Sequence, residues 1–541
     1  NIFYRILYNE IMKLELPFEV LFISHTLQKA GFESHLVGGA IRDLVLQSTN
    51  AFYHKNIAIT DYDFTTNAQP EKIMELFPES FYENNFGTVS ITHENTLYLL
   101  KNNYQLPEKN LLSAISQNKK TETLIDLVNA KKLHESLEKP IKTLPSEEKQ
   151  PKPFEITTYR TDGTYHDHRR PESVTWGKTI EEDLERRDFT INALAIKINP
   201  SFLEGIFSEK IIETSYSLES KDFTLTDPHN GIEDLAQSTI EAVGDPNLRF
   251  KEDALRMLRA IRFSVQLGMS IGEKTLTALG AHAPLIQHVS WERIRDEFMK
   301  MIASQDPKKA ILLLEKTKML EYVLPEILEM KGVEQSGHHT TNVWVHSLDA
   351  LNTCPSADPI VRLATLLHDA GKPRTFDNSN ENITFYNHEI ISSRIASKVA
   401  KRFKFSKKNI DRMFTLTRFH MFHYQPQNTD ASIRRFMRKV GLENIDDILD
   451  LREGDRLGSG AKKTSWRLEE MKQRMVEQLN QPMAVKDIAI NGNDLMTELN
   501  LKPGKNLGII LQQLFEEVME NSELNTKEIL LEKAKEIFIQ T

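Results

Sequence analysis

A single cysteine, Cys354, is all the thiol chemistry in 541 residues. One thiol excludes an internal disulfide framework and fits a reducing compartment. Nowhere do eighteen apolar residues run together, so no membrane span is expected. The opening stretch, NIFYRILYNEIMK, lacks both a signal-peptide layout and an initiator Met, which leaves room for a preceding segment. Excess charge is small as well. There are 68 Lys and Arg against 77 Asp and Glu, a formal net charge of -9. That balance argues against coating nucleic acid over the whole surface, while a local basic stripe stays open. No fixed-period repeat is present. What remains is an ordinary globular composition, 40% hydrophobic, over a length that predicts three or four domains.

The chain is organised around residues 36–64, LVGGAIRDLVLQSTNAFYHKNIAITDYDF. Gly38-Gly39 follow a short apolar run, and Arg42-Asp43 open an expected helix. Bare glycine amides at a helix start suit a triphosphate. Some twenty residues on, Asp61 and Asp63 alternate with Tyr62 and Phe64. On a strand, alternate residues share a face, so both carboxylates are expected to point one way. Two such carboxylates repel unless a cation sits between them, and divalent cations with oxygen ligands are the usual answer. A metal pair can activate an attacking oxygen and steady a leaving phosphate.

Along the chain, residues 10–31 predict a helix stopping at Gly31, and residues 34–37 a strand. TTNAQPEKIMELF (65–77) predicts a loop and an amphipathic helix capped near Thr65 or Thr66, and FGTVSIT (86–92) predicts a strand. Residues 100–153, rich in Lys, Asn and Glu and closing in PSEEKQPKP, are expected to be an insertion with a disordered end. FEITTYR (154–160) predicts a strand with Glu155, Thr157 and Tyr159 on one face. The polar stretch from Thr161 to Lys178 predicts a mobile loop carrying His166, Asp167, Arg169 and Arg170. TIEEDLERRDFTINALAIKI (179–198) predicts an acidic helix running into an apolar strand, and a second insertion is expected near 200–222. From about 245 onward the periodicity is helical, including LRFKEDALRMLRAIRFSVQLG (248–268) as one helix. Residues 398–475 hold nineteen Lys and Arg against ten Asp and Glu, the best candidate for a phosphate-backbone contact surface.

LVGGAIRD with DYDF, EITTYR, RRDFTINALAI, DPHNGIEDL, KEDALRMLRAIRF and SWERIRDEF occur in this order. Together they resemble the class II tRNA nucleotidyltransferase/poly(A) polymerase family over roughly residues 30–330. The resemblance implies an α+β fold: a small mixed-sheet head of the polymerase-beta-like kind, then an all-helical neck and body. It also implies Mg2+ as cofactor, and tRNA, ATP and CTP as partners. Asp61 and Asp63 become the expected catalytic metal ligands, with Glu155 the third carboxylate by family likeness. Arg187, Asp188 and Asn192 are expected at the triphosphate and sugar beside Gly38, Gly39 and Arg42. The planar fork of an arginine binds phosphate oxygens bidentately. Asp253 and Arg256, three apart on a helix, are expected to read the base edge, with Arg259 supporting one turn on; an ion pair with Glu252 is the plainer alternative. Glu292, Arg293 and Glu297 are expected to brace a helix. The loop Thr161–Lys178 is expected to help switch between cytosine and adenine.

Further on, His346, then His368-Asp369, then Asp455 follow the H…HD…D spacing. This looks like a metal-dependent HD phosphohydrolase domain, with Mg2+, Mn2+ or Ni2+ as the metal. His388, His420 and His423 are expected as extra ligands or phosphate contacts. The expected domains are a head at 1–244, a neck at 245–330, an HD domain at 331–475 and a helical tail at 476–541. The expected function is cytoplasmic, template-independent addition of CMP and AMP to tRNA 3′ ends. The alternatives are A-only or CC-only addition, poly(A) synthesis, or, from another class, an RNA-binding HD hydrolase with a vestigial head.

Overall fold

The computed structural model describes residues 12–48, 59, 61–82, 87–104, 152–162, 174–208, 213, 215–335, 341–379 and 383–540. Most of the expected 100–153 insertion lies outside the described residues, and so do His166, Asp167, Arg169 and Arg170. The chain divides into two compact units, Asn1–Val289 and Ser290–Thr541. Among the described residues no helix is long and apolar enough to cross a membrane.

Unit 1 opens with strand β1 (Leu14–Pro17) and helix α1 (Phe18–Lys29). The expected single helix over 10–31 is thus shorter, because Leu14 and Leu16 alternate inward as a strand does. There follow β2 (His35–Val37), α2 (Gly39–Ser48), β3 (Asp63–Thr66), α3 (Pro70–Leu76), β4 (Phe81–Tyr82), β5 (Thr88–Ile91) and α4 (His93–Tyr104). After the segment outside the description come β6 (Phe154–Thr158), α5 (Ile180–Glu185) and β7 (Ala195–Ile198). Within the stretch read as a second insertion the described residues form α6 (Pro200–Ser208) and β8 (Ser215–Leu218), and β9 (Phe223–Thr226) follows it. β8 pairs with β1 and β9 with β7, both antiparallel. Such short strands are stabilised by distant partners, and local sequence carries no sign of them.

The main sheet has seven strands in the order β9-β7-β2-β3-β6-β5-β4. Only β3 and β6 run parallel; every other neighbouring pair is antiparallel. This is the mixed sheet that the family resemblance implied. Later in unit 1 come α7 (Pro246–Glu252) and α8 (Leu255–Leu267), with a further helix at Glu273–His282. The expected continuous helix therefore breaks at Asp253, whose backbone is extended (φ -139°, ψ 105°).

Unit 2 is helical, as expected. The helices that matter below are α9 (Trp291–Ile302), α10 (Val343–Thr353), α11 (Pro359–Leu367), α12 (His388–Arg402), α13 (Lys407–Phe419), α14 (Asp430–Val440) and α15 (Ile445–Gly458). Glu297 is buried on α9 and holds Lys300 at 3.4 Å, in keeping with a bracing role. Gly454 and Gly458 face α10 so closely that an added Cβ would meet backbone atoms of Ala350 at 2.8 and 2.5 Å. That approach brings Asp455, between the two glycines, against α10.

Candidate active site

The sheet register sets the first constellation. Val37 on β2, Asp63 on β3 and Glu155 on β6 are lateral neighbours in one row across three adjacent strands. Neighbours in one row put their side chains on one face. Asp63 opens β3, so Asp61 lies just before the strand, not on it. The expected strand alternation of the two aspartates is corrected accordingly. They remain electrostatic neighbours all the same. Burial above all, then Asp61 and Glu155, push the Asp63 carboxyl up to about 7, against Arg187 and Lys152. Lys152 pairs with the exposed Asp61 at 2.5 Å. The donor set is all oxygen and its charge is under-compensated, which fits Mg2+.

The Gly-Gly turn abuts this row. Gly38 has φ +79°, and a Cβ there would lie 3.1 Å from Arg187 Nη1 and 3.6 Å from Asp63 Oδ2. Only glycine accepts both the dihedral and the crowding. Its amide is not the bare donor expected, because it points to the Leu194 carbonyl at 3.4 Å. Gly39 opens α2, with Arg42 packed beside it.

The remaining groups form one polar chain. Arg42 grips Asp43 with Nε and Nη2 at 2.8 and 3.0 Å, and gives Nη1 to Asn192 Oδ1 at 2.8 Å. Asn192 donates to Asp188 Oδ1 at 3.3 Å, and Arg259 Nε donates to Asp188 Oδ2 at 2.6 Å. Burial favours a neutral Asp188, but Arg259, with Arg256 and Asn192, more than offsets it and holds the carboxyl below its ordinary value. Phe263 lies under three guanidinium groups, with Arg42, Arg259 and Arg262 at 5.3, 5.4 and 3.9 Å from its centroid. Arg187 is held through Nη2 by the buried Asp183 at 3.2 Å, and Asp183 also takes Arg186. Arg187 Nε is buried and has no hydrogen-bond acceptor among the described residues. A donor stranded in this way fits an incoming phosphate oxygen.

Asp253 and Arg256 differ from the expected pair on a helix face. Asp253 occupies the break, where Oδ1 accepts from the Leu255 amide at 3.0 Å. Arg256 Nη1 binds Glu252 at 2.5 Å, and Nη2 donates to the Arg186 carbonyl at 2.9 Å. The plainer reading of an ion pair with Glu252 is thus what the side chain makes, while Arg256 also ties α8 to the Arg-Arg-Asp turn.

Unit 2 holds a second constellation, buried throughout. His346 Nε2 lies 3.4 Å from Asp369 Oδ2 and 3.3 Å from Asp455 Oδ1; His368 Nε2 lies 3.3 and 3.6 Å from the same two oxygens. His388 and His420 approach the other oxygen, Asp369 Oδ1, at 3.3 and 3.8 Å. His423 is turned elsewhere, to Gln425. Burial disfavours the imidazolium of His368, but Asp369 and Asp455 outweigh it and carry its pKa up to about 10.

Comparison with known proteins now bears on both. A sequence model described as the poly A polymerase head domain matches residues 34–108 and 113–241. "Probable RNA and SrmB- binding site of polymerase A" matches 268–331, and tRNA nucleotidyltransferase domain 2 matches 375–534. The A-adding tRNA nucleotidyltransferase of Deinococcus radiodurans is 32% identical over 352 residues, 62% of this chain and 75% of that protein. The chain belongs to the tRNA nucleotidyltransferase/poly(A) polymerase family. Within this family, the CCA-adding enzyme of Geobacillus kaustophilus is 34% identical over 309 residues, 57% of this chain. That match spans only 55% of the relative's length. The CCA-adding enzyme of Ligilactobacillus salivarius is 27% identical over 95% of both chains. The fold is that of the Bacillus stearothermophilus CCA-adding enzyme in complex with CTP, at 23% identity and a TM-score of 0.60 over 96% of this chain and 97% of that one.

Sequence reading missed three contributors to the head of this tRNA nucleotidyltransferase family member. Lys152 sat in a charged tail that carried no positional signal. Asp183 was visible only as an acid three and four residues before Arg186 and Arg187. Phe263 shares a helical stripe with core residues, and its guanidinium neighbours emerge only from the fold.

Proposed function

We propose that the protein adds CMP and AMP to the 3′ ends of tRNA, from CTP and ATP, in the cytoplasm. The observation that carries this reading is the row Asp63–Glu155 with Asp61 alongside, next to a glycine turn and a stranded Arg187 donor. The full-length likeness to a CCA-adding enzyme supports it. Asp61, Asp63 and Glu155 would hold Mg2+, which supplies charge to acidify the attacking hydroxyl and to stabilise the leaving group. In the reaction the terminal 3′-hydroxyl oxygen bonds to the α-phosphorus and loses its proton. The bond from the α-phosphorus to the bridging oxygen breaks, and pyrophosphate leaves.

Arg187 is fixed by Asp183, so its free donors stay aimed at the triphosphate. Arg42, Asn192 and Asp188 hold the sugar side. Asp253 and Arg256 would select the base, which requires Arg256 to exchange Glu252 for a base edge. The test is purified protein with tRNA lacking its terminus and each labelled nucleoside triphosphate. Two cytidines then one adenosine are expected. A single A, only CC, or a long A tract would replace the reading with the corresponding alternative, and no incorporation would reject it.

A second reading attaches to unit 2. The HD-type order of His346, His368-Asp369 and Asp455, and their convergence within 3.6 Å, favour a divalent metal site. Its activity would be hydrolysis of a phosphoester at damaged RNA ends. Hydrolytic opening of a 2′,3′-cyclic phosphate to a phosphomonoester, lost in His368→Ala, checks it.

A further inference from the structure

We infer that Ser90 is a positioning residue for nucleotidyl transfer, donating its hydroxyl to the Glu155 carboxylate and holding that carboxylate in line with Asp63. The inference rests on the reading of the head proposed above and extends its row of side chains toward the sheet edge.

The row does not stop at Glu155. On β5, Ser90 is the lateral partner of Glu155, and on β4, Phe81 is the partner of Ser90. Val37, Asp63, Glu155, Ser90 and Phe81 thus form one line across five adjacent strands, with their side chains on one face. Ser90 is 0% exposed, and its Oγ has no hydrogen-bond partner among the described residues. A buried hydroxyl without a partner is costly, and alanine would fill the same space without that cost. The stranded donor lies in the line that carries the candidate metal ligands.

The neighbours of Ser90 on its own face single out Glu155. Across the antiparallel β5–β6 pair, facing Cβ atoms lie about 4.5–5.5 Å apart. Two residues along, the facing hydroxyls of Thr88 and Thr157 are 3.3 Å apart, so opposed polar atoms of these two strands come within hydrogen-bond reach. That contact engages Thr88. In the other direction, Thr92 Oγ1 accepts from the Asn95 amide at 3.2 Å, at the start of α4. Phe81, on the outer side, is apolar. Glu155 is the one carboxylate beside Ser90, and an ionised carboxylate takes several donors at once. Rotation of Ser90 about χ1 between staggered positions directs Oγ toward it.

Such a bond does two things. It favours the ionised form of Glu155, the form that holds a cation. It also removes rotamers of a long side chain that would turn the carboxylate out of line with Asp63. The competing account makes Ser90 a small residue chosen for packing between β4 and β6. That account predicts no effect of the hydroxyl on the response to Mg2+.

Full-length Ser90→Ala, Ser90→Thr, Glu155→Gln and the Ser90→Ala/Glu155→Gln double variant are compared with the parent. One readout is the shift of the unit 1 unfolding midpoint between EDTA and Mg2+. The other is steady-state incorporation from CTP onto tRNA lacking its terminus. Ser90→Ala should unfold in EDTA no earlier than the parent, because it removes a stranded hydroxyl. Its Mg2+-induced shift should fall to half or less. The Mg2+ concentration for half-maximal incorporation should rise about tenfold, with kcat lowered and KM for CTP unchanged. Ser90→Thr keeps the hydroxyl and should restore the parent's Mg2+ response. In the Glu155→Gln background, Ser90→Ala should change that response no further. A Ser90→Ala protein with the parent's Mg2+ dependence, or a loss of equal size in the Glu155→Gln background, would overturn the role of Ser90 and leave the reading of the head standing. A Glu155→Gln protein that behaves as the parent would remove Glu155 from the site and take both down. The double variant decides the matter even if threonine is too large for the buried position.

Discussion

Replacing Asp63 with asparagine should stabilise the metal-free protein while abolishing transfer. The Asp63 carboxyl is carried from 3.8 to about 7, by burial first and then by Asp61 and Glu155. Between those two values the folded state binds more protons than the unfolded one, so stability falls as pH rises through that window and the loss is complete above pH 7. At about 1.4 kcal/mol per pKa unit the gap corresponds to about 4 kcal/mol as a ceiling. Relaxation and water entry reduce it, and a gain of about 1–3 kcal/mol is the expected scale for Asp63→Asn at pH 8 in chelator. The assay is thermal or urea unfolding in EDTA, followed on the transition of unit 1, at pH 8 and pH 5. At pH 5 the carboxyl is protonated in the folded state but still ionised in the unfolded one, so the gain should shrink to about two-fifths of its pH 8 value and vanish only below about pH 3.8. Added Mg2+ should reverse the order at pH 8, because only the wild type keeps the full ligand set. An Asp63→Asn protein that is no more stable than wild type at pH 8, or whose gain persists undiminished at pH 5, would refute this account of a charge held in reserve for a cation.

Three further outcomes are expected. Gly38→Ala places a Cβ 3.1 Å from Arg187 Nη1 at φ +79°, and should cost about 1–2 kcal/mol of backbone strain and lower kcat/KM at least tenfold, read by steady-state nucleotide incorporation. Asp61→Ala should eliminate incorporation with little change in the unfolding midpoint, because the side chain is exposed; retained incorporation would remove Asp61 from the site. His35, lowered to about 4 chiefly by burial, binds fewer protons folded than unfolded between about pH 4 and 6.5, so stability falls as pH drops through that window by up to about 3 kcal/mol. His35→Gln should flatten that part of the stability-versus-pH curve measured by urea unfolding.

What was legible in the sequence was chemistry that local pattern constrains. Gly38-Gly39, Asp63 and the Arg-Arg-Asp turn are singular residue types at fixed spacing, and the fold brings them together. The helical second half followed from period, and the mixed sheet was what the family resemblance implied. Less legible were features decided by distant partners. KEDALR keeps a helical rhythm through Asp253, and the break depends on Asp253 Oδ1 capping Leu255 and on Arg256 reaching the Arg186 carbonyl. Strands β8 and β9 are short, and their identity comes from pairing with β1 and β7. His388 and His420 could be named from sequence as extra groups. Their convergence on one oxygen of Asp369 depends on how closely Gly371 lets α12 approach.

The two centres differ in donor chemistry, and that difference has a consequence for loading. The head offers carboxylate oxygens, one of them on an exposed aspartate, which suits a hard cation that keeps its waters. The second unit offers four imidazole nitrogens and two carboxylates, all buried, which suits Mn2+, Ni2+ or Zn2+ over Mg2+. A hard cation exchanges readily at an open oxygen site, whereas buried nitrogen ligands release a transition metal slowly. Brief chelation should therefore strip the first centre and leave the second occupied. Nucleotide addition should then recover on adding Mg2+ alone, while phosphoester hydrolysis survives the chelation step. Both activities disappearing together, and returning together with Mg2+, would show that the imidazoles of His346, His368, His388 and His420 do not set the metal preference of the second centre.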